Sequence, residues 1–104
     1  MNLVDLPYIT KEGFRNDHSI VVYALSTCGF CKRALAFLDQ HGFSYKYIHV
    51  DQIPLETKTE VKKILKERFN ENVAFPFAVI DEDKHLVGFI EPDWVLTLGV
   101  TEGE

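Results

Sequence analysis

The chain has 104 residues, 46% of them apolar and 12% aromatic, which suits one packed domain rather than two. Its formal net charge of −5 is spread along the sequence, so there is no basic stripe for nucleic acid. No apolar run approaches the roughly 18 residues that cross a membrane.

The N-terminal stretch, residues 1–19, carries acids at Asp5 and Glu12 and lacks the long apolar core of a secretory signal. A cytoplasmic location is therefore expected. These residues read as an extension that precedes the first strand and covers one sheet edge, ahead of a single domain at 20–104. Ile20 to Leu25 (IVVYAL) is a short apolar run rich in β-branched residues, followed by Ser26, Thr27 and Gly29. That pattern predicts a central strand buried on both faces. The period then changes. Cys31, Ala34, Leu35 and Leu38 recur at the spacing of an amphipathic helix, and Gly42 suits the left-handed position beyond its end.

Tyr45 to Val50 (YKYIHV) alternates like a second strand. Two strands joined by a helix form a βαβ unit, parallel and right-handed. Pro54 fits the first turn of a following helix, with Thr57 and Glu60 spaced as a capping box. Val61, Ile64, Leu65 and Phe69 supply its buried stripe. Phe77 to Ile80 and His85 to Phe89 flank the turn Asp81-Glu82-Asp83-Lys84, a β-hairpin signal. Asp93 to Leu98 closes the chain as a short helix, with Trp94, Leu96 and Leu98 available for packing. The order β-α-β-α-β-β-α predicts a mixed four-stranded sheet flanked by three helices.

Cysteine occurs only at Cys28 and Cys31, too rarely for the disulfide framework of a small secreted scaffold. The pair falls where the first predicted strand meets its helix. Cys28 is placed at the helix edge and Cys31 within its first turn. The nucleophile of disulfide exchange is a thiolate, and a helix N-terminus offers about half a positive charge and unpaired N–H groups. Both favour the anion at Cys28, with Lys32 and Arg33 next in sequence. Cys31, three residues inward, is within bonding reach. The implied cycle has Cys28 attack a disulfide and Cys31 resolve the mixed disulfide.

A C-x-x-C pair can also form half of a zinc site, and His18, His41, His49 and His85 are available for one. None of them shows the paired histidine spacing of such sites. A purely structural disulfide across so short a loop adds little chain-entropy stabilisation. Phe75-Pro76-Phe77 precedes a strand, and two readings stay open for it. One is simple punctuation. The other is a cis Phe75–Pro76 bond opposite Cys28 that offers Phe75 backbone groups to an extended substrate. Phe30 is expected to be exposed beside the cysteines as a substrate contact.

Taken together, YALSTCGFC (23–31), KRALAFLDQHG, YKYIHVD, Phe75-Pro76 and Val87-Gly88-Phe89 resemble glutaredoxins in order and spacing, over about residues 20 to 99. The resemblance implies a thioredoxin-like fold, a cis-proline at Pro76, and Cys28 and Cys31 as the redox pair. It also implies a substrate groove that includes Phe30, Phe75, Pro76, Gly88 and Phe89, in a monomer acting on disulfide-containing proteins.

Within that family, glutathione-dependent members usually carry a lysine three residues before the first cysteine, where this chain has Leu25. They also place an acid after a Gly-Gly pair, where Val87-Gly88-Phe89-Ile90 stands here. Charged contacts of this kind are each worth about 1.5–3 kcal/mol. Gly88-Phe89-Ile90-Glu91-Pro92-Asp93 instead resembles a segment of the glutaredoxin-like redoxins that serve ribonucleotide reductase, with one extra residue before Pro92. That likeness implies reduction by a thioredoxin-reductase-type flavoenzyme, with glutathione as the alternative donor and no bound cofactor. Cys-Gly-Phe also begins the motif of monothiol relatives that hold a [2Fe–2S] cluster with glutathione between two protomers, although Cys31 stands where they carry serine. A glutathione-bridged cluster carrier, a zinc-binding module and a groove used only for binding are the rival readings.

Overall fold

The computed structural model describes residues 2–100; Met1 and residues 101–104, the outer ends of the expected 1–19 extension and 20–104 domain, lie outside them. In chain order the strands and helices are β1 (Ile9–Lys11), β2 (Ile20–Ala24), α1 (Gly29–Gln40), β3 (Tyr45–His49), α2 (Leu55–Phe69), β4 (Phe77–Ile80), β5 (Lys84–Val87) and α3 (Glu91–Leu98). The strands form one sheet in the order β1-β3-β2-β4-β5. β2 and β3 run parallel, as a βαβ unit requires, with Val22 opposite Tyr47. The other three pairings are antiparallel.

The α/β class and the order of the last seven elements are as expected, but the sheet has five strands rather than four. The additional strand, β1, lies within the supposed extension and pairs with β3, Ile9 opposite Tyr47 and Lys11 opposite Tyr45. Its three residues are all exposed, so no alternation of apolar and polar residues marked it in the sequence. Further along the same segment, the Arg15 N–H donates to the Gly42 carbonyl and the Ser44 N–H to that of Arg15, each at 2.9 Å. The crossing is tight: a Cβ on Gly13 would meet the backbone of Gly42 and Phe43.

β2 is apolar throughout because it is covered on both faces. Ile20, Val22 and Ala24 join Cys31, Ala34, Phe37, Leu38, Trp94 and Leu98 in the layer beneath α1 and α3. Tyr23 points the other way, toward Val61 and Leu65 of α2. β4 divides likewise, Ala78 and Ile80 against Phe77 and Val79, which is the period-two geometry of a strand.

Three local expectations are corrected. Pro54 is the N-cap of α2, and no side-chain capping bond forms there; with the helix beginning at Leu55, Thr57 and Glu60 lie inside it rather than at cap positions. Leu35 is only half-buried, and Phe37 takes its place on the buried face of α1. Leu96 is 83% exposed. In so short a helix Trp94 and Leu98, four apart, make the inward stripe, and a residue two positions on from Trp94 faces away. Gly42, at φ 73°, does take the left-handed conformation.

Candidate redox site

β2 ends at Ala24, and the chain turns through Leu25–Thr27 into α1. The Cys28 N–H donates to the Leu25 carbonyl at 3.3 Å, closing this turn. Cys28 is the N-cap of α1, in extended conformation at φ −91° and ψ 118°. Its sulfur does what a capping serine oxygen does: it accepts the Cys31 N–H at 3.1 Å. The contact brings the two cysteines together at the positive end of the helix, where a negative sulfur is stabilised.

Cys31 is 1% exposed and packs within the core beneath α1. Its sulfur accepts the Leu25 N–H at 3.5 Å. Burial pushes the Cys31 thiol up to about 12; the Cys28 sulfur and the Asp51 carboxylate act in the same direction, and the Leu25 N–H opposes them. Cys28 is only half-buried. The two thiols, three residues apart, therefore occupy unlike environments: one faces the surface at a helix cap, the other is enclosed and held protonated.

Opposite them the Phe75–Pro76 peptide is cis. The Phe75 carbonyl oxygen lies 4.0 Å from the Cys28 sulfur, so this backbone does border the thiol. Pro76 is buried, and its carbonyl accepts the Gly88 N–H at 2.8 Å. The Gly88 carbonyl in turn accepts the Trp94 indole N–H at 3.0 Å. Gly88, at φ 74°, is thus tied to the proline loop on one side and to the core on the other.

Phe30 is 57% exposed in the first turn of α1, with the Arg33 guanidinium 5.5 Å from its ring centre. Phe89 is half-buried and packs at a tilt against Phe37 and edge-to-face against Trp94, with ring centres 5.6 and 5.4 Å apart. Phe30 therefore offers apolar surface outward, whereas much of Phe89 is committed to the core. Ile90, the N-cap of α3, is also 57% exposed.

The four histidines go elsewhere. His18 bonds Asp81, His41 packs at a tilt on Phe37, His49 meets Tyr47 edge-on and His85 stacks on Phe77. Among the described residues no group of three or more His, Cys, Asp or Glu is placed to hold a metal ion.

Two residues near the thiols had no motif to announce them. Asp51 follows β3 in a single 3₁₀ turn. Its carboxylate accepts the Ser26 N–H at 3.0 Å and also the Ser26 hydroxyl. These bonds hold Asp51 below the usual carboxylate range, the hydroxyl contributing most. The signal lay in topology rather than spacing: adjacent parallel strands end side by side, so residues just beyond β2 and β3 meet.

The glutaredoxin family model matches residues 20–86, from the start of β2 into β5. The chain belongs to the glutaredoxin family. Glutaredoxin 1 of Rickettsia conorii is 36% identical over 50 residues, 48% of this chain and 46% of that protein; the chain thus aligns with about half the length of this curated relative. Among solved structures, the glutaredoxin from Methanosarcina mazei Go1 is 29% identical with a TM-score of 0.73, covering 88% of this chain and 87% of its own. Methanoredoxin of Methanosarcina acetivorans is 37% identical with a TM-score of 0.70, covering 78% and 84%. Glutaredoxins with the thioredoxin-like fold are thus the neighbours of this chain in both sequence and structure. Among the described residues no helix is long and apolar enough to cross a membrane.

Proposed function

We propose that this glutaredoxin is a dithiol–disulfide oxidoreductase in which Cys28 attacks and Cys31 resolves. The observation that carries the reading is the asymmetry of the pair: Cys28 is accessible and accepts a helix-cap N–H, while Cys31 is enclosed. In the first step the Cys28 thiolate attacks one sulfur of a substrate disulfide. A Cys28–substrate disulfide forms and the other substrate sulfur leaves as thiolate. Cys31 then loses its proton and attacks the Cys28 sulfur, the mixed disulfide breaks, and the second substrate thiolate leaves. The net transfer is two electrons from the dithiol to the substrate, whose two sulfurs take up protons from water.

The surroundings favour protein disulfides over glutathione. Leu25 and Ile90 stand where charged contacts to glutathione would be expected, and Phe30 and Ile90 are each 57% exposed. An apolar rim of this kind gains from burying a protein surface and offers little to a small charged tripeptide. We therefore assign reduction of the pair to a flavoenzyme of the thioredoxin reductase type, with a protein disulfide such as that of ribonucleotide reductase as substrate and the redoxin working as a monomer without bound cofactor.

The test is a coupled disulfide-reduction assay in two arms. One contains thioredoxin reductase and NADPH, the other glutathione, glutathione reductase and NADPH. Turnover with the flavoenzyme alone supports the assignment; turnover with glutathione alone overturns the choice of donor and leaves the dithiol reaction standing. Turnover in neither arm contradicts the oxidoreductase reading.

A further inference from the structure

In the loop ahead of Cys28, Leu25 packs against the core on the α2 side of the sheet, and both polar groups of Ser26 go to one carboxylate. Its N–H reaches Asp51 at 3.0 Å and its hydroxyl bonds the other carboxylate oxygen. Asp51 is itself exposed, but the 3₁₀ turn that carries it follows directly on β3. That strand is paired in parallel with β2, Ala24 opposite His49. The carboxylate thus ties the end of one strand to the loop leaving the other, two residues before the nucleophile. We propose that Asp51 is a positioning residue for the Cys28–Cys31 exchange, clamping the Ser26–Thr27 loop and setting by its charge when Cys31 attacks.

This inference rests on the oxidoreductase reading above. The clamp acts on geometry. Leu25 donates its N–H to the Cys31 sulfur and its carbonyl accepts the Cys28 N–H, so a loop fixed at Ser26 fixes the register of both contacts. The charge acts on the resolving step. The Asp51 carboxylate is bonded to Ser26, the neighbour of Leu25, whose N–H is bonded to the Cys31 sulfur. The charges of Asp51 and Cys28 bear on Cys31, and the charge of His49, two residues before Asp51, bears on the carboxylate. A fixed negative charge opposes proton loss from Cys31, the event that must precede its attack on Cys28. It also disfavours thiolate anywhere in the reduced pair, which makes the pair a stronger reductant.

Asp51→Asn removes the charge while keeping an acceptor for the Ser26 N–H. Ser26→Ala keeps the charge and removes one of the two bonds. Both variants are compared with wild type by thermal melting, by redox equilibration of the pair, and by single-turnover release of a chromogenic thiol, first as Cys28 attacks its symmetric disulfide and then from the mixed disulfide with Cys28. The release is followed between about pH 6 and 12, from ordinary thiol titration up to the raised range of the Cys31 thiol.

Asp51→Asn is expected to shift the thiol–disulfide equilibrium about threefold toward the dithiol, or about 14 mV upward at 29.6 mV per tenfold. It is also expected to move the pH midpoint of release downward. Ser26→Ala is expected to keep the wild-type midpoint and slow the initial attack by Cys28 about threefold, roughly the effect of losing a weak hydrogen bond. A folded Asp51→Asn protein with wild-type potential and midpoint overturns the role of the charge, and a wild-type rate of attack in Ser26→Ala overturns the clamp. Absence of selective Cys28 attack in wild type contradicts the oxidoreductase reading itself, separately from Asp51.

Discussion

The thiol loop and the N-terminal strap hold their functional atoms by different means. Around Cys28 and Cys31 the sulfurs are met by main-chain donors, the N–H groups of Cys31 and Leu25, and the facing loop presents the Phe75 main-chain carbonyl. Residues 2–19, which lie before the span matched by the glutaredoxin model, are fastened in large part through side chains. Tyr8 donates its hydroxyl to the Leu3 carbonyl and pairs with the Tyr23 hydroxyl, each at 2.8 Å. His18 lies 2.8 Å from Asp81, which also accepts the Ser19 N–H.

The difference follows from what each region must do. A sulfur that is a thiolate, then a disulfide, then a thiol needs partners that neither titrate nor swing away, and backbone N–H groups at a helix start are such partners. The strap carries no cysteine, so titratable side chains serve it.

The contrast can be broken or sharpened by substitution on either side. The largest effect is expected at the nucleophile. Cys28→Ser should lose all turnover in the coupled assay, because a hydroxyl at neutral pH supplies no comparable anion. Cys31→Ser should retain the first step and accumulate a mixed disulfide, visible as a mass adduct. Equal loss without an adduct in both variants would erase the asymmetry.

Next comes the support beneath the site. Trp94 is fully buried and its indole N–H holds the Gly88 carbonyl, so Trp94→Ala should cost about 3–5 kcal/mol in urea unfolding. A cost below about 1 kcal/mol would mean that the layer under α1 and α3 can collapse around the gap.

On the strap, Tyr8→Phe removes both hydroxyl bonds and leaves Tyr23, 3% exposed, with its hydroxyl unpaired. A loss of about 1–2 kcal/mol is expected, with disulfide turnover unchanged. A matching fall in turnover would show that the strap and the thiol loop are coupled.

The smallest effect is a dependence on pH. The His18 hydrogen bond, then the Ser19 N–H, hold the Asp81 carboxyl below its ordinary value. A carboxyl lowered in the folded state stabilises the fold at pH values above its unfolded pKa, near 3.9, and that contribution disappears as pH falls through the folded value. Wild type should therefore unfold at higher urea than Asp81→Asn at neutral pH, and the gap should close under acid. A gap that is constant with pH would assign the effect to shape rather than charge.

What could be read from the sequence divides along the same line. The central strand, the helix that follows it and the placing of Cys28 and Cys31 at their junction depend on local periodicity, and IVVYAL running into C-G-F-C displays all three. The edge strand Ile9–Lys11 was hidden because all three of its residues face solvent, so its existence depends on pairing with β3 rather than on pattern. Asp51 was hidden for a related reason: its partner Ser26 is 25 residues away, and only the parallel pairing brings them together. Thr57 and Glu60 misled in the opposite direction, because a capping spacing means nothing once the helix has begun two residues earlier at Leu55.

The central claim is that two thiols three residues apart have unlike roles. It is tested most directly by pulsed alkylation of the fully reduced protein near pH 7, with mass spectrometry to assign each modified cysteine. Half-buried Cys28 should be modified rapidly and alone, and Cys31, 1% exposed, only after denaturation. Equal rates at the two cysteines, or no reaction at either, would contradict the assignment of Cys28 as attacking thiol and Cys31 as resolving thiol.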